Sequence, residues 1–118
     1  MPPPRPGQPV RGSTTGRPVM AAMDLLGRRW ALRILWELRD GQLGARPLLA
    51  RCDEMSSSVL YQRLHELADA GLVVRVDAHP GNGGYVLTAL GRSLGEALAP
   101  LDAWAIRKSL RFCSRFNC

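Results

Sequence analysis

The sequence predicts one mainly α-helical domain that carries a small two-stranded β-hairpin. Three observations support this fold class. At 118 residues the chain can hold one domain with a modest core, but not two ordinary ones. Apolar residues recur at helical spacing through most of residues 18–112. Two short β-rich runs, separated by the turn-forming loop HPGNGG at residues 79–84, interrupt that pattern near the carboxyl end.

The first two helices are predicted from apolar stripes that each end at a glycine. Residues 19–27 form the first segment, which Gly27 ends, and residues 30–41 form the second, which Asp40-Gly41 stops. The stripes consist of Val19, Met20, Met23 and Leu26 in the first segment, and of Trp30, Ile34, Leu35 and Leu38 in the second. Both segments are long enough to bury one face.

A short helix and a longer helix follow, separated by a tight polar break. Residues 45–52 form the short candidate, with Pro47 in its first turn, and residues 52–55 form the break. Ser56 then fits an N-cap, because its hydroxyl can accept a free backbone N–H of the next turn. The fourth helix runs over residues 57–70 and closes at Gly71, a residue that suits a left-handed helix end.

The carboxyl-terminal half predicts a hairpin and a last helix. Residues 72–78 and 85–88 are β-rich and flank the loop, so they predict two antiparallel strands. Residues 89–112 form a long amphipathic segment, which we expect Pro100 to kink or divide. A three-helix core with an appended hairpin is the economical arrangement of these elements.

Basic residues are concentrated at the two ends of the chain. Residues 1–17 carry a charge of +3 and residues 107–118 carry +4, whereas residues 18–106 carry −1 of the net +6. Residues 1–17 hold five of the nine prolines and show no apolar periodicity, so we predict a disordered basic arm there. The domain then spans residues 18–106, and residues 107–118 are a basic tail. Such a charge distribution supports a nucleic-acid partner only weakly.

The composition argues against a membrane protein and against a disulfide framework. No apolar run approaches the roughly 20 residues of a membrane span. The amino terminus, MPPPRPGQPVRG, lacks the apolar core of a secretory signal, so we expect a cytoplasmic protein. The chain has three cysteines, Cys52, Cys113 and Cys118. An odd number of cysteines without the spacing of a metal site favours reduced thiols over a disulfide framework.

The fourth helix has two chemically different sides on a helical wheel. One side gathers Val59, Leu60, Leu64, Leu67 and Ala70, with the stem of Arg63, and predicts docking on a core. The other side gathers Ser57, Ser58, Tyr61, Gln62, His65 and Glu66. Serines at a helix start permit close approach to DNA, and glutamine can pair with adenine in the major groove. The alternative is that Ser56 caps the helix and the rest is a solvated face.

Three stretches in order resemble the HxlR-type winged helix-turn-helix regulators, relatives of the MarR-like group. They are LLGRRWALRILWELRDG at residues 25–41, SSSVLYQRLHELADAGLVVR at residues 56–75 and YVLTALGRSL at residues 85–94. The resemblance covers roughly residues 18–106. It implies a winged helix-turn-helix fold and a homodimeric transcription factor, more often a repressor, that binds double-stranded DNA at the nucleoid. The first and last helices would form the dimer interface.

The resemblance also assigns roles to individual residues. Leu60, Leu64, Leu67, Leu72 and Leu87 become core positions. The fourth helix becomes the recognition helix, with Arg63 beside its contact face, and the loop at residues 79–84 becomes the wing tip. The expected DNA contacts are Ser57, Ser58, Tyr61, Gln62, Arg63 and His65 on the helix, His79 and Asn82 in the wing, and Arg46, Arg51 and Arg75 as phosphate contacts.

Two positions depart from the family pattern. Many members carry a cysteine before the proline of the first helix, and some use it as a thiol sensor. This chain has Arg17 before Pro18, so oxidation sensing by that route is excluded. The loop HPGNGG also lacks arginine and lysine, which weakens the expectation that the wing enters a minor groove.

Other chemistries find little support in the sequence. His65 and His79 have no ligand spacing of a zinc site around them, and no phosphate-binding loop or nucleophile elbow is present, so we predict neither an enzyme nor a cofactor. Cys52 is expected to be a small buried residue. Trp30, Trp36 and Trp104 are expected in the core or dimer seam, with an effector pocket between their helices as the alternative. The rival functions are a protein-interaction module and a non-specific nucleic-acid binder.

Overall fold

The computed structural model describes residues 3–10, 16–53, 55–77 and 83–116, with side chains described as far as residue 108. Five helices and a two-stranded antiparallel hairpin follow one another in the predicted order. The elements are α1 (Pro18–Leu26), α2 (Ala31–Glu37), α3 (Ala45–Arg51), α4 (Ser57–Asp69), β1 (Val73–Val76), β2 (Gly84–Leu87) and α5 (Ala89–Phe116). The predicted fold class is therefore confirmed.

The core lies where α2, α3 and α4 meet the hairpin and the start of α5. Its largest fully buried side chains are Ile34, Leu38, Leu48, Leu60, Leu64 and Leu67. All five leucines assigned to the core from the sequence are at most 7% exposed. Burial of these apolar side chains is the main force that holds α4 in place, because it removes apolar surface from water.

The connection between α1 and α2, which we call the corner (residues 27–30), differs from the sequence prediction. The predicted second helix begins at Trp30, but Trp30 has a left-handed backbone with φ 76° and stands as the N-cap of a shorter α2. Such a conformation costs a non-glycine residue about 1–3 kcal/mol. The Trp30 side chain still packs against the core. Periodicity detects that burial and cannot detect the dihedral angle.

The hairpin pairs Val73 with Leu87 and Val76 with Gly84. A third strand segment joins it, because the N–H of Leu43 donates to the carbonyl of Tyr85 at 3.1 Å and the N–H of Tyr85 donates to the carbonyl of Leu43 at 2.8 Å. The sequence did not predict this bridge, since a single paired residue leaves no alternating pattern. The bridge ties the segment before α3 to the loop-side half of β2.

The last helix begins at a threonine cap and is not divided. The Thr88 hydroxyl accepts the N–H of Gly91 at 3.1 Å and donates to the carbonyl of Gly71, which fixes the start of α5 against the end of α4. Gly91 lies so close to the carbonyl of Leu72 that a Cβ would collide with it. Pro100 lies inside the helix, which continues to Phe116. Of the two expected outcomes, the division is wrong, because a proline removes one N–H donor while the neighbouring turns keep theirs. The kink stays a prediction.

Candidate nucleic-acid interface

Two of the three consecutive serines build the start of α4. Ser56 has a non-helical backbone, and its Oγ accepts the N–H of Val59 at 3.3 Å, so the predicted N-cap is confirmed. The Ser58 hydroxyl lies 3.2 Å from the same Ser56 Oγ. The Ser57 side chain is exposed beside them. The serine run therefore supplies both a cap and hydroxyls that face solvent.

The exposed side of α4 carries uncharged hydrogen-bonding groups. We define the polar flank as Ser57, Ser58, Tyr61, Gln62 and His65, all of which are exposed, with Tyr61 at 54%. Hydroxyl, amide and imidazole groups can donate or accept hydrogen bonds toward base edges or phosphates. Their exposure agrees with the predicted contact face. Contact with DNA stays a prediction for each of these residues.

The prediction that Glu66 shares this side is wrong. Glu66 is 6% exposed and lies between two arginines. Arg63 Nη1 donates to its Oε1 at 3.0 Å, and Arg28 Nη1 lies 2.9 Å from its Oε2. The Arg28 contact is an ion pair without hydrogen-bond alignment, so Oε2 accepts no hydrogen bond within the described residues. A wheel drawn for α4 alone cannot show Arg28, which belongs to the corner.

Arg63 is turned toward the corner rather than toward the polar flank. Its side chain is 17% exposed, and its Nε donates to the backbone carbonyl of Arg29 at 2.7 Å. Its guanidinium therefore holds a carbonyl and a carboxylate at the same time. Arg63 was predicted beside the contact face, but its donors are engaged inside the domain. The interface proposed below leaves it out.

The arginines predicted to contact phosphates lie at the surface. Arg46 is exposed on α3, and the Arg51 side chain is 51% exposed with its Nη1 3.8 Å from Glu37 Oε1. The Arg75 side chain is 67% exposed, and its Nε lies 3.2 Å from Asp77 Oδ1. Exposed pairs of this kind contribute at most about 1 kcal/mol, so a phosphate can replace the carboxylate. His79 and Asn82 lie outside the described residues.

Residues 3–10 of the amino-terminal arm lie against the domain, and the predicted disorder of residues 1–17 stays a prediction. Pro3 is buried, and Arg5 Nη2 lies 3.0 Å from Asp69 Oδ2 near the end of α4. An open cleft of about 1270 Å³ separates these residues from α1, the corner and the Gln62 side of α4. Prolines and one surface ion pair leave no periodic signal, so the sequence could not predict this contact.

Both α1 and α5 expose large apolar side chains. The most exposed are Val19 at 58%, Met23 at 62%, Leu90 at 57%, Leu101 at 53%, Trp104 at 50% and Ile106 at 54%. Lys108 Nζ lies 5.1 Å from the Trp104 ring centroid. Apolar side chains that gather on exposed helices mark surfaces for association. These are the two helices that the sequence predicted for a dimer interface.

The remaining predicted residues have structural settings. Cys52 is 1% exposed, which confirms its predicted burial, and that burial raises the pKa of its thiol. Trp30 and Trp36 are half-buried, and the Arg39 guanidinium lies 3.9 Å from the Trp36 ring centroid. The described cleft is lined by the arm, the corner and α4, not by the tryptophans. An effector pocket between the tryptophan-bearing helices stays a prediction.

The fold and the exposed helix together define a class of protein. Helices α3 and α4 pack as a helix-turn-helix pair, and the hairpin that follows them is the wing. The protein is therefore a winged helix-turn-helix protein, in which α4 holds the position of the recognition helix. Among the residues that the structure describes, no helix combines the length and apolar character needed to cross a membrane.

Comparison with known proteins identifies the family. Residues 25–111 match the HxlR-like helix-turn-helix family. The HTH-type transcriptional regulator YvaP of Bacillus subtilis (strain 168) is 33% identical over 86 residues, which cover 71% of this chain and 80% of that protein. The chain belongs to the HxlR-like family, and it is a DNA-binding transcriptional regulator of the HxlR/MarR type.

Solved structures agree with this assignment. A MarR-family transcriptional regulator from Enterococcus faecalis V583 superposes with a TM-score of 0.70 at 27% identity, covering 82% of this chain and 90% of that one. The quinone-bound form of YodB from B. subtilis superposes with a TM-score of 0.67 at 30% identity, covering 76% and 96%. The predicted resemblance and the predicted winged-helix fold are confirmed.

Proposed function

We propose that the protein is a homodimeric repressor that reads a pseudo-palindromic operator through α4. The observation that carries this proposal is the polar flank, whose five side chains are exposed and able to hydrogen-bond. In a helix-turn-helix, the amino-terminal residues of the second helix lie nearest the base edges. Ser57, Ser58, Tyr61 and Gln62 occupy that part of α4, and His65 follows one turn later.

The dimer interface in this proposal is formed by α1 and α5. Their exposed apolar side chains would be covered by the same helices of a second copy. Two recognition helices would then enter successive major grooves about 34 Å apart. Met23→Glu together with Trp104→Glu should give a monomer by light scattering. Val74→Glu, at an equally apolar position 47% exposed on β1, should leave the oligomeric state unchanged.

Phosphate contacts in the proposal come from surface arginines around the recognition helix and from polar residues of the wing loop. Arg46 and Arg51 on α3 and Arg75 on β1 are exposed, and His79 and Asn82 belong to the wing loop. Such contacts release counterions from DNA, so affinity should fall steeply as salt rises. The basic arm at residues 1–17 and the tail at residues 107–118 would add non-specific attraction.

A gel shift over a salt series tests this proposal. The probe is the DNA upstream of the protein's own gene, and the control is a shuffled duplex of the same length and composition. The proposal expects tighter binding to the upstream fragment and a steep salt dependence for both duplexes. A chain lacking residues 1–17 and 107–118 should keep the preference. Reporter transcription from the same fragment should fall when the protein is expressed, which tests repression.

One rival function has an observation in its favour. Residues 18–106 carry a net charge of −1, which suits a winged-helix module that binds proteins rather than DNA. Equal affinity for the two duplexes at every salt concentration would support that rival. The remaining parts of the proposal are a cytoplasmic, nucleoid-associated location, no enzymatic activity and no cofactor.

A further inference from the structure

The Glu66 carboxylate is the point at which the recognition helix is joined to the corner. Arg28 approaches one carboxylate oxygen from the corner, and Arg63 donates to the other oxygen from within α4. Arg63 also donates to the carbonyl of Arg29. The three side chains are 8–22% exposed, so water screens these contacts poorly. We call Arg28, Arg63 and Glu66 the ion cluster.

The ion cluster gives α4 a restraint that its apolar side cannot give. Packing of leucines is non-directional, so several small rotations of a helix bury nearly the same area. The ion cluster instead joins two carboxylate oxygens and one carbonyl to two guanidinium groups. Hydrogen bonds weaken steeply when their angles change, so the Arg63 hydrogen bonds to the Arg29 carbonyl and to Glu66 restrain the rotation of α4 relative to the corner. The Arg28–Glu66 ion pair adds attraction between the same two elements at 2.9 Å.

Net stability is a poor explanation for such a cluster. Desolvation of buried charges largely offsets their attraction, and apolar replacements of buried ion clusters are often as stable. The best-attested role of buried polar groups is to select one arrangement among several. In this fold the selected arrangement is the angle at which the polar flank faces outward.

We propose that Glu66, held by Arg28 and Arg63, is a positioning residue that sets the orientation of α4 for base recognition. The inference rests on the proposed operator binding. The corner follows α1, which is half of the proposed dimer interface, so the ion cluster connects the dimer to each recognition helix. Base contacts need this alignment because their angles are narrow. Phosphate contacts tolerate more rotation, so non-specific binding depends on the ion cluster far less.

Electrostatics and positioning predict opposite results for Glu66→Gln. Removal of a negative charge near DNA should strengthen binding to every duplex, if charge is all that matters. Loss of positioning should weaken operator binding about tenfold, the effect of one mismatched base pair, while binding to the shuffled duplex stays equal or strengthens. The measured quantity is the ratio of the two affinities at one salt concentration.

Asp69→Asn is the matched control. It removes the same charge from the same helix one turn later, where Asp69 forms a surface ion pair with Arg5. Its side chain is 43% exposed, whereas that of Glu66 is 8% exposed. We expect Asp69→Asn to change both affinities together and to leave their ratio within about twofold of the wild type.

Glu66→Gln leaves two half-buried guanidinium groups without a carboxylate and can therefore unfold the domain. A second pair of variants covers that case. Arg28→Met removes the Arg28–Glu66 ion pair between the corner and α4, and it leaves the Arg63 contacts with Glu66 and with the Arg29 carbonyl in place. Arg29→Met removes the same charge one residue later, from a side chain 5.5 Å from the Trp30 ring centroid. Arg28→Met should lower the affinity ratio, and Arg29→Met should not.

The outcomes separate this inference from the proposed function. A lower ratio in Glu66→Gln or Arg28→Met, with both controls unchanged, supports the ion cluster as the positioning device. An unchanged ratio in folded Glu66→Gln, or in Arg28→Met if the former unfolds, overturns that role and leaves operator binding in place. A wild-type protein without preference for the upstream fragment overturns the proposed function and, with it, this inference. Circular dichroism establishes which variants are folded.

Discussion

The two sides of α4 that carry polar residues are used in opposite ways. The polar flank is exposed and holds no carboxylate, lysine or arginine, whereas Arg63 and Glu66 lie largely inside the domain. On most helices the charged side chains are the exposed ones, because a charged side chain is rarely buried unless it is paired. Here each buried charge has an opposite charge within 3.0 Å.

The difference shows how a helix can face DNA without repelling it. A carboxylate directed at the groove would oppose the phosphates, but the Glu66 carboxylate is enclosed by two guanidinium groups. The acid that does remain exposed on this side, Asp69, lies near the end of α4 and pairs with Arg5 of the arm. The polar flank therefore presents hydrogen-bonding groups with little negative charge beside them.

The largest contrast between the sides of α4 should appear in stability. Leu67 is fully buried, so Leu67→Ala should lower the free energy of unfolding by about 2–5 kcal/mol through lost transfer energy and a cavity. Tyr61→Ala, on the polar flank, should change it by no more than about 0.5 kcal/mol. Urea denaturation monitored by circular dichroism measures both. Equal losses would show that the flank is packed against another surface.

A smaller contrast should appear in the kind of DNA binding that is lost. Gln62→Ala should remove hydrogen bonds to a base and weaken operator binding by about 1–3 kcal/mol. It should also relax the base preference at one position of the operator. Arg51→Ala should weaken binding to operator and shuffled duplex alike and reduce the salt slope by about one. Binding to a library of operator variants measures the preference. If both variants keep wild-type affinity and preference, the contact face has been placed wrongly.

The order of the elements was predictable because each rests on a local pattern. The apolar stripe of α4, the Ser56 cap and Gly71 lie within one stretch of sequence, and the structure confirms the helix and its cap, with Gly71 at φ 81°. Features that depend on distant residues were not predictable. The Leu43 bridge to Tyr85 and the left-handed Trp30 arise from the packing of separate elements, which no short window of sequence contains.

The candidate site shows the same limit. Exposure of the polar flank followed from the helical wheel, because its residues oppose the leucines. The position of Glu66 did not follow, because its burial depends on Arg28, which lies 38 positions earlier in the chain. Spacing along one helix can assign a carboxylate to an edge of that helix. It cannot show whether a cation from another element covers that edge.

The smallest contrast tests whether Ser56 stabilises α4 as its cap while the neighbouring Ser57 contacts DNA. Ser56→Ala removes the acceptor of the Val59 N–H, so it should lower the free energy of unfolding by about 1 kcal/mol. Ser57→Ala leaves that cap intact and should change stability by less than about 0.5 kcal/mol, but it should weaken operator binding because an exposed hydroxyl at the helix start is lost. Urea denaturation and gel shift on the same two variants separate the effects. A Ser57 variant that loses as much stability as the Ser56 variant, with normal operator affinity, would assign both serines to the cap. Ser58, Tyr61 and Gln62 would then be the first residues of α4 able to contact DNA.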